Sequence, residues 1–385
     1  MSEWTMVRLG AVCEIVSGTT PSTRKAELWD GDIKWITPAE IHDDSYYIMD
    51  TERYISEKAG LKKMPAGTVL LSSRAPIGKT AIAGVEMCCN QGFKNLICMD
   101  TIHNRYLYYF LRSKTAYLNS LGRGATFKEI SKSIVENIVI PLPPLSVQYE
   151  IADKLDAIKT VTNKHTIQIK NLDLLIKSRF VEMFGMPGQD EKGWGLSKLG
   201  ECCVLNPRKA TDDRLVSGLE VSFIPMAAVS EQGEIELLET RKYDDVKSGF
   251  TYFAEGDVLF AKITPCMENG KGAVAENLKN EIGFGSTEFH ILRPIEELSN
   301  SYWLYAITSF ESFRIDAAAN MTGSAGQRRV PVQYLDSFMI SLPPIKLQNK
   351  FESFVKQTYK SKVAIQKSLI ELKTLKQALM QQYFG

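Results

Sequence analysis

Residues 141–185 read PLPPLSVQYEIADKLDAIKTVTNKHTIQIKNLDLLIKSRFVEMFG, and this stretch decides the fold. Pro141, Pro143 and Pro144 hold the chain extended and keep a helix from running in from upstream. From Leu145 to Phe184 there is neither Pro nor Gly. Apolar positions step by alternating fours and threes through Ile151, Leu155, Ile158, Thr162, His165, Ile169, Leu172, Ile176, Arg179 and Met183. That is a heptad seam, interrupted by Thr162, His165 and Arg179. Gly185 stands where a helix C-cap is expected. The spacing predicts one helix of roughly 40 residues, about 60 Å long. A lone helix with one apolar stripe is not stable in water and needs a partner.

The chain supplies that partner. Residues 341–385, SLPPIKLQNKFESFVKQTYKSKVAIQKSLIELKTLKQALMQQYFG, repeat the same grammar. Pro143 and Pro144 match Pro343 and Pro344, Gln148 matches Gln348, Leu172 matches Leu372, Leu175 matches Leu375, and Phe184-Gly185 matches Phe384-Gly385. Each pair differs by 200 positions (343 minus 143). The second seam runs through Phe351, Val355, Thr358, Lys362, Ile365, Leu369, Leu372, Lys376, Leu379 and Tyr383.

The repeat extends through the rest of the chain, as a search for internal periods should test first. Trp4 and Leu9-Gly10 have counterparts in Trp194 and Leu199-Gly200, and Trp35-Ile36 in Phe223-Ile224. Ala66-Gly67-Thr68-Val69-Leu70 faces Glu255-Gly256-Asp257-Val258-Leu259, and Tyr106-Leu107-Tyr108-Tyr109 faces Tyr302-Trp303-Leu304-Tyr305. Short β-type runs at 68–72, 80–85, 95–99, 134–140, 257–261, 272–275, 289–292 and 337–341 alternate with turn residues, and 104–121 and 300–319 read as helices. The expected fold is α+β: two similar globular domains separated by an antiparallel pair of long helices, a coiled coil, in a pseudo-two-fold internal repeat. The boundaries are 1–142 and 186–342 for the domains, 143–185 and 343–385 for the helices.

Composition narrows the function. A 44% apolar, 24% charged chain is that of a soluble globular protein, and no run approaches a membrane span. The N-terminus lacks a signal-peptide layout. Seven cysteines without a C-x-x-C argue against a disulfide framework or zinc site and for a reducing, cytoplasmic setting. A net charge of +1 means that any nucleic-acid surface must be local or completed by a partner. Catalytic signatures are missing. Residues 75–80 end in Gly-Lys-Thr but lack the first Gly of a phosphate-binding loop, and no G-x-S-x-G or H-E-x-x-H occurs. The four histidines have no metal-ligand spacing, and His42-Asp43-Asp44 reads as a solvated loop.

What remains are polar and basic loops recurring at matched places in both domains. Their side chains suit duplex DNA: Arg and Lys for guanine edges or phosphates, Asn and Gln for adenine, Ser and Thr for phosphate. In the first domain the candidates are Thr20, Ser22, Ser73, Arg74, Lys79, Gln91, Lys94, Arg123, Thr126 and Lys128. In the second they are Arg208, Lys262, Thr264, Asn269, Lys271, Thr287, His290, Thr322, Ser324, Gln327, Arg328 and Arg329. Taken one at a time, each is also an ordinary hairpin-loop residue. Their recurrence in both domains beside a rigid spacer favours DNA for the set.

With these residues in view, the chain resembles the specificity subunit of a type I restriction–modification system. The resemblance rests on P-L-P-P-L-x-x-Q at 141–148 and L-P-P-I-x-x-Q at 342–348, each opening a long helix that closes in Phe-Gly, and on G-x-T-P-S at 18–22 and residues 73–78. The second domain departs from the last two, with Asn206-Pro207-Arg208 and Ile263-Thr264-Pro265-Cys266 in their places. The resemblance implies two target-recognition domains, each reading half of a bipartite asymmetric double-stranded DNA site, and no catalysis by this chain. It implies helices that set the spacer and dock two methyltransferase subunits, which bring S-adenosylmethionine and complete the basic clamp. Motor-endonuclease subunits would join in the full complex. A scaffold or adaptor with two protein-binding domains is the reading from a different class, and a self-contained methyltransferase-endonuclease is a third.

Overall fold

The computed structural model describes residues 4–74, 76–123, 128–209, 212–324 and 326–385. Packing divides the chain into two units, residues 1–166 with 367–385, and residues 167–366. Each contains one globular head and the facing halves of the two long helices.

Both long helices form as the Pro and Gly punctuation requires. They span Leu145–Phe184 and Ile345–Phe384, 40 residues each. Gly185 takes the left-handed conformation (φ 79°) and its N–H donates to Val181 O at 2.8 Å. Along both seams every position named above is buried or half-buried. Rising numbers on one helix meet falling numbers on the other. In the second unit Lys362 Nζ lies 3.0 Å from Asp173, Arg179 stacks 5.8 Å from the ring of Phe354, and Phe180 sits 5.5 Å from Phe351. In the first unit Ile151 and Leu155 share a core with Leu379, Met380, Tyr383 and Phe384. The helices are therefore antiparallel within each unit.

The first head has a five-stranded sheet in the order Cys13–Ser17, Phe93–Cys98, Val69–Ser72, Thr80–Ala83, Tyr47–Ile48. The second has the same order in four strands, Cys203–Leu205, Phe289–Pro294, Val258–Ala261, Gly272–Val274. Strands Val69–Ser72 and Val258–Ala261 are buried throughout because both faces are covered. Val69 and Leu71 face the helix Asn104–Ser113, while Leu70 joins Ile36, Met87 and Phe93 on the other side. Each head has a second sheet, three-stranded in the first and four-stranded in the second, and its parallel pair recurs: Trp35 opposite Cys88, and Phe223 opposite Phe284. A two-stranded ribbon ties the start of each head to its end, Thr5–Arg8 with Val139–Leu142 and Leu196–Lys198 with Met339–Ser341.

Local expectations are corrected in four places. Residues 134–140 do not form one strand. Ser131 Oγ caps Ile134 N–H at 3.3 Å and starts the helix Lys132–Glu136, so the strand begins only at Val139. Residues 337–341 likewise start as the end of helix Val332–Ser337, with the strand at Met339–Ser341. The helices expected at 104–121 and 300–319 are each broken in two, at Lys114 and at Phe310, where ψ turns to 140°. All seven cysteines are free thiols.

The repeated glutamine proves to be structural. Gln148 accepts from His103 N–H (2.8 Å) and donates to Thr101 O (3.0 Å) and Pro143 O (2.8 Å). Gln348 accepts from Asn300 N–H (2.9 Å) and donates to Leu298 O (3.0 Å) and Pro343 O (2.9 Å). Both are 0% exposed. Each glutamine thus satisfies the N-terminus of a head helix and the proline turn of its long helix at once, which is why the motif needs an amide with both a donor and an acceptor.

Candidate nucleic-acid interface

In the first head, residues 73–79 connect strands Val69–Ser72 and Thr80–Ala83. The segment around Glu129 lies across this connection. Glu129 bridges both Arg74 and Arg123 through the backbone, and Ile130 N–H donates to Ser73 O at 2.9 Å. The Glu129 carboxylate receives Arg74 Nε at 3.0 Å and Lys94 Nζ at 3.2 Å. Burial opposes its charge, but the bonds from Arg74 and Lys94 outweigh it and hold the carboxyl below its usual range. Lys94 is buried and also reaches Ser73 Oγ (3.4 Å), whereas Arg74 is exposed.

The second head repeats the backbone pattern bond for bond. Val330 N–H donates to Lys262 O at 2.9 Å, and Lys262 N–H to Glu288 O as Ser73 N–H does to Gly92 O. Arg329 bridges Ile263 and Thr322 as Glu129 bridges Arg74 and Arg123. Glu129 and Arg329 therefore hold one position of the fold, and so do Gly92 and Glu288, and Lys94 and His290. Here the charges are reversed. Arg329 is the cation, and Glu288 accepts it in a fork, Nε to Oε2 at 2.9 Å and Nη2 to Oε1 at 2.8 Å. The Arg329 bonds pull the Glu288 carboxyl below its usual range. His290 is buried between Asn206 Nδ2 (3.1 Å) and Val330 O (2.8 Å), and burial lowers its pKa.

The structure gathers most of the sequence candidates around these two clusters. Thr264 N–H donates to Arg328 O (3.0 Å) and its hydroxyl to Glu268 (2.8 Å), which lies 3.9 Å from Arg328. Arg123, Lys128, Thr322, Ser324, Gln327 and Arg328 are exposed on the same segments. Gln91 and Thr287 are exposed on the turns before strands Phe93–Cys98 and Phe289–Pro294. Thr20 accepts from Asn90 Nδ2 (2.9 Å), Ser22 is exposed, and Asn269 and Arg208 are exposed on loops of the second head. Thr126 lies outside the described residues. Four candidates serve the scaffold. Ser73, Lys94 and His290 are buried, and Lys262 is half-buried. Lys79 and Lys271 form a matched pair, donating to Pro38 O (3.2 Å) and Met226 O (3.4 Å) at the first residues of equivalent short turns.

A family model described as the type I restriction modification DNA specificity domain matches residues 1–172 and again residues 191–374. The chain belongs to this family. Its two specificity domains are the two heads, each matched with much of the helix that follows it. The chain is 28% identical over 407 residues to the type I restriction enzyme MjaIX specificity subunit of Methanocaldococcus jannaschii, covering 98% of this chain and 92% of that protein. It is 40% identical over 161 residues to the EcoAI specificity subunit of Escherichia coli, which is 41% of this chain and 26% of that protein. In fold it is similar to the type I restriction–modification S subunit from M. genitalium, with a TM-score of 0.59 at 13% identity over 99% of this chain and 96% of the other. A chain from a structure of type I complex assembly and conformational transition also scores 0.59, at 22% identity, over 100% and 98%.

Sequence reading of the specificity domains missed Glu129 and Glu288, the acids that pair with the arginines. It also missed Arg53, stacked 3.8 Å from Trp29, and Arg241, stacked 3.5 Å from Phe223, beside the second sheet of each head. The available signal was an acid inside each basic loop cluster. Its partner lies 55 or 41 residues away in sequence.

Proposed function

We propose that each specificity domain reads one half of a split double-stranded DNA target, that the long helices set the unread gap, and that they dock two methyltransferase subunits. One observation carries this reading. The two domains keep the same sheet order and the same glutamine bonds, yet differ at matched loop positions, with Glu129 in one and Arg329 in the other. A shared scaffold with divergent polar loops is what two different half-sites require, because base edges are told apart by donors and acceptors.

Helices of 40 residues give about 60 Å of stiff length, and duplex DNA turns once per roughly 34 Å, so helix length can set both distance and phase between half-sites. Apolar side chains left exposed on the helices, Ile167, Leu174 and Leu175 on the first and Val363, Ile370 and Leu375 on the second, support a docking role. S-adenosylmethionine would enter with the methyltransferase subunits, and motor-endonuclease subunits would join the assembled complex. Among the described residues no helix is long and apolar enough to cross a membrane, and a cytoplasmic complex accords with this.

The test is co-expression with the methyltransferase gene and mapping of methylated adenines in host DNA. The expected result is a split motif of two defined halves around a fixed gap. Replacing residues 186–342 by another domain of the family should change one half alone. A continuous motif, or a change in both halves, overturns the reading.

A further inference from the structure

We propose that Glu129 and Glu288 are specificity-determining residues: each carboxylate fixes the arginine that its domain presents, Arg74 in the first and Arg329 in the second. The inference rests on the half-site reading above. An exposed arginine has many rotamers, and ordering them on DNA costs free energy. An arginine already held by a carboxylate has lost that freedom before DNA arrives. Among the described residues Arg74 is held through Nε alone, which leaves its terminal nitrogens for an acceptor pair such as guanine O6 and N7. Arg329 is held through Nε and Nη2, and Nη1 bonds Gln327 O at 2.9 Å. That places Gln327 on the same support and ties the turn to the sheet.

The pairing also discriminates by charge. A carboxylate beside each reading cation cancels part of its pull on any phosphate, so non-specific duplex gains less from the contact. The first cluster sets two cations, Arg74 and Lys94, on one carboxylate, Glu129, whose backbone also pairs with that of Arg123. The second sets Lys262, Arg328 and Arg329 against Glu268 and Glu288. The acid is retained in both heads although it has moved to the other side of the pair.

The experiment uses the full chain in complex with its methyltransferase subunits. Equilibrium binding is measured on three duplexes: the wild-type motif, the motif with the first half scrambled, and the motif with the second half scrambled. Glu288→Gln should raise affinity for the duplex scrambled in the second half and reduce discrimination there by about tenfold, leaving the first half untouched. Glu129→Gln should do the reverse. The exchange variant E288R/R329E keeps an ion pair at the same place. It should retain the wild-type melting temperature and still lose second-half discrimination. Should E288Q and E129Q keep full discrimination while melting lower, or E288R/R329E bind as wild type does, the acids are scaffold and the inference falls. If the wild-type complex does not discriminate either scrambled duplex, the half-site reading itself falls.

Discussion

The two heads share a frame and differ in what they put on it. At one position of the fold the first head carries Glu129, clamped by Arg74 and Lys94, and the second carries Arg329, clamped by Glu288. Beneath this inversion the frame keeps its strand order and the three hydrogen bonds made by each of Gln148 and Gln348. Buried groups cannot vary freely because each has partners to satisfy, whereas a half-exposed ion pair can be turned around at little cost.

This comparison can be broken at its strongest point first. Phe184 and Phe384 are matched residues, each 3% exposed, closing the long helices onto their heads. Phe184 packs on Phe180 and Phe351, and Phe384 on Tyr106 and Phe110. Each Phe→Ala change should cost about 3–5 kcal/mol in urea unfolding. A large loss in one unit and none in the other would show that the frame is not equivalent. Next, Gln148→Leu and Gln348→Leu should each cost about 2–4 kcal/mol, since a buried backbone N–H and two carbonyls lose their partner. Unequal costs would sharpen the comparison by showing which head depends more on its helix.

The smallest effect concerns pH. His290 occupies the place held by Lys94 in the first head. Burial disfavours its charged form, the Val330 carbonyl favours it, and Lys262 and Glu288 act in opposite directions, with a net lowering. A base whose folded pKa lies below the unfolded value near 6.5 binds fewer protons when folded. Stability from this site is complete above pH 6.5 and declines as pH falls below it. Thermal melts of His290→Asn between pH 5.5 and 7.5 should show a flatter decline than wild type. An unchanged slope would mean that the buried ring does not set the acid sensitivity of the second head.

The long helices were legible because their signals are local or strictly periodic: prolines before, glycine after, and a heptad between. The 200-residue spacing of Gln148 and Gln348 was visible too, but what those side chains bond was not. Strand order was unreadable, since Phe93–Cys98 pairs with both Cys13–Ser17 and Val69–Ser72 across long stretches of chain. Burial was the feature of the candidate interface that the sequence did not show. Ser73, Lys94 and His290 look like loop polar residues, yet neighbouring strands and the returning segment cover them.

By itself the sequence determined that the chain is a repeated α+β unit with two long antiparallel helices, because periodicity, punctuation and repetition are written along one dimension. Only the tertiary structure decided that Glu129 pairs with Arg74 and Lys94, that Glu288 pairs with Arg329, and that the charge order reverses between the heads. Those pairs join segments far apart in sequence, and their geometry exists only once the sheets have brought them within hydrogen-bond distance.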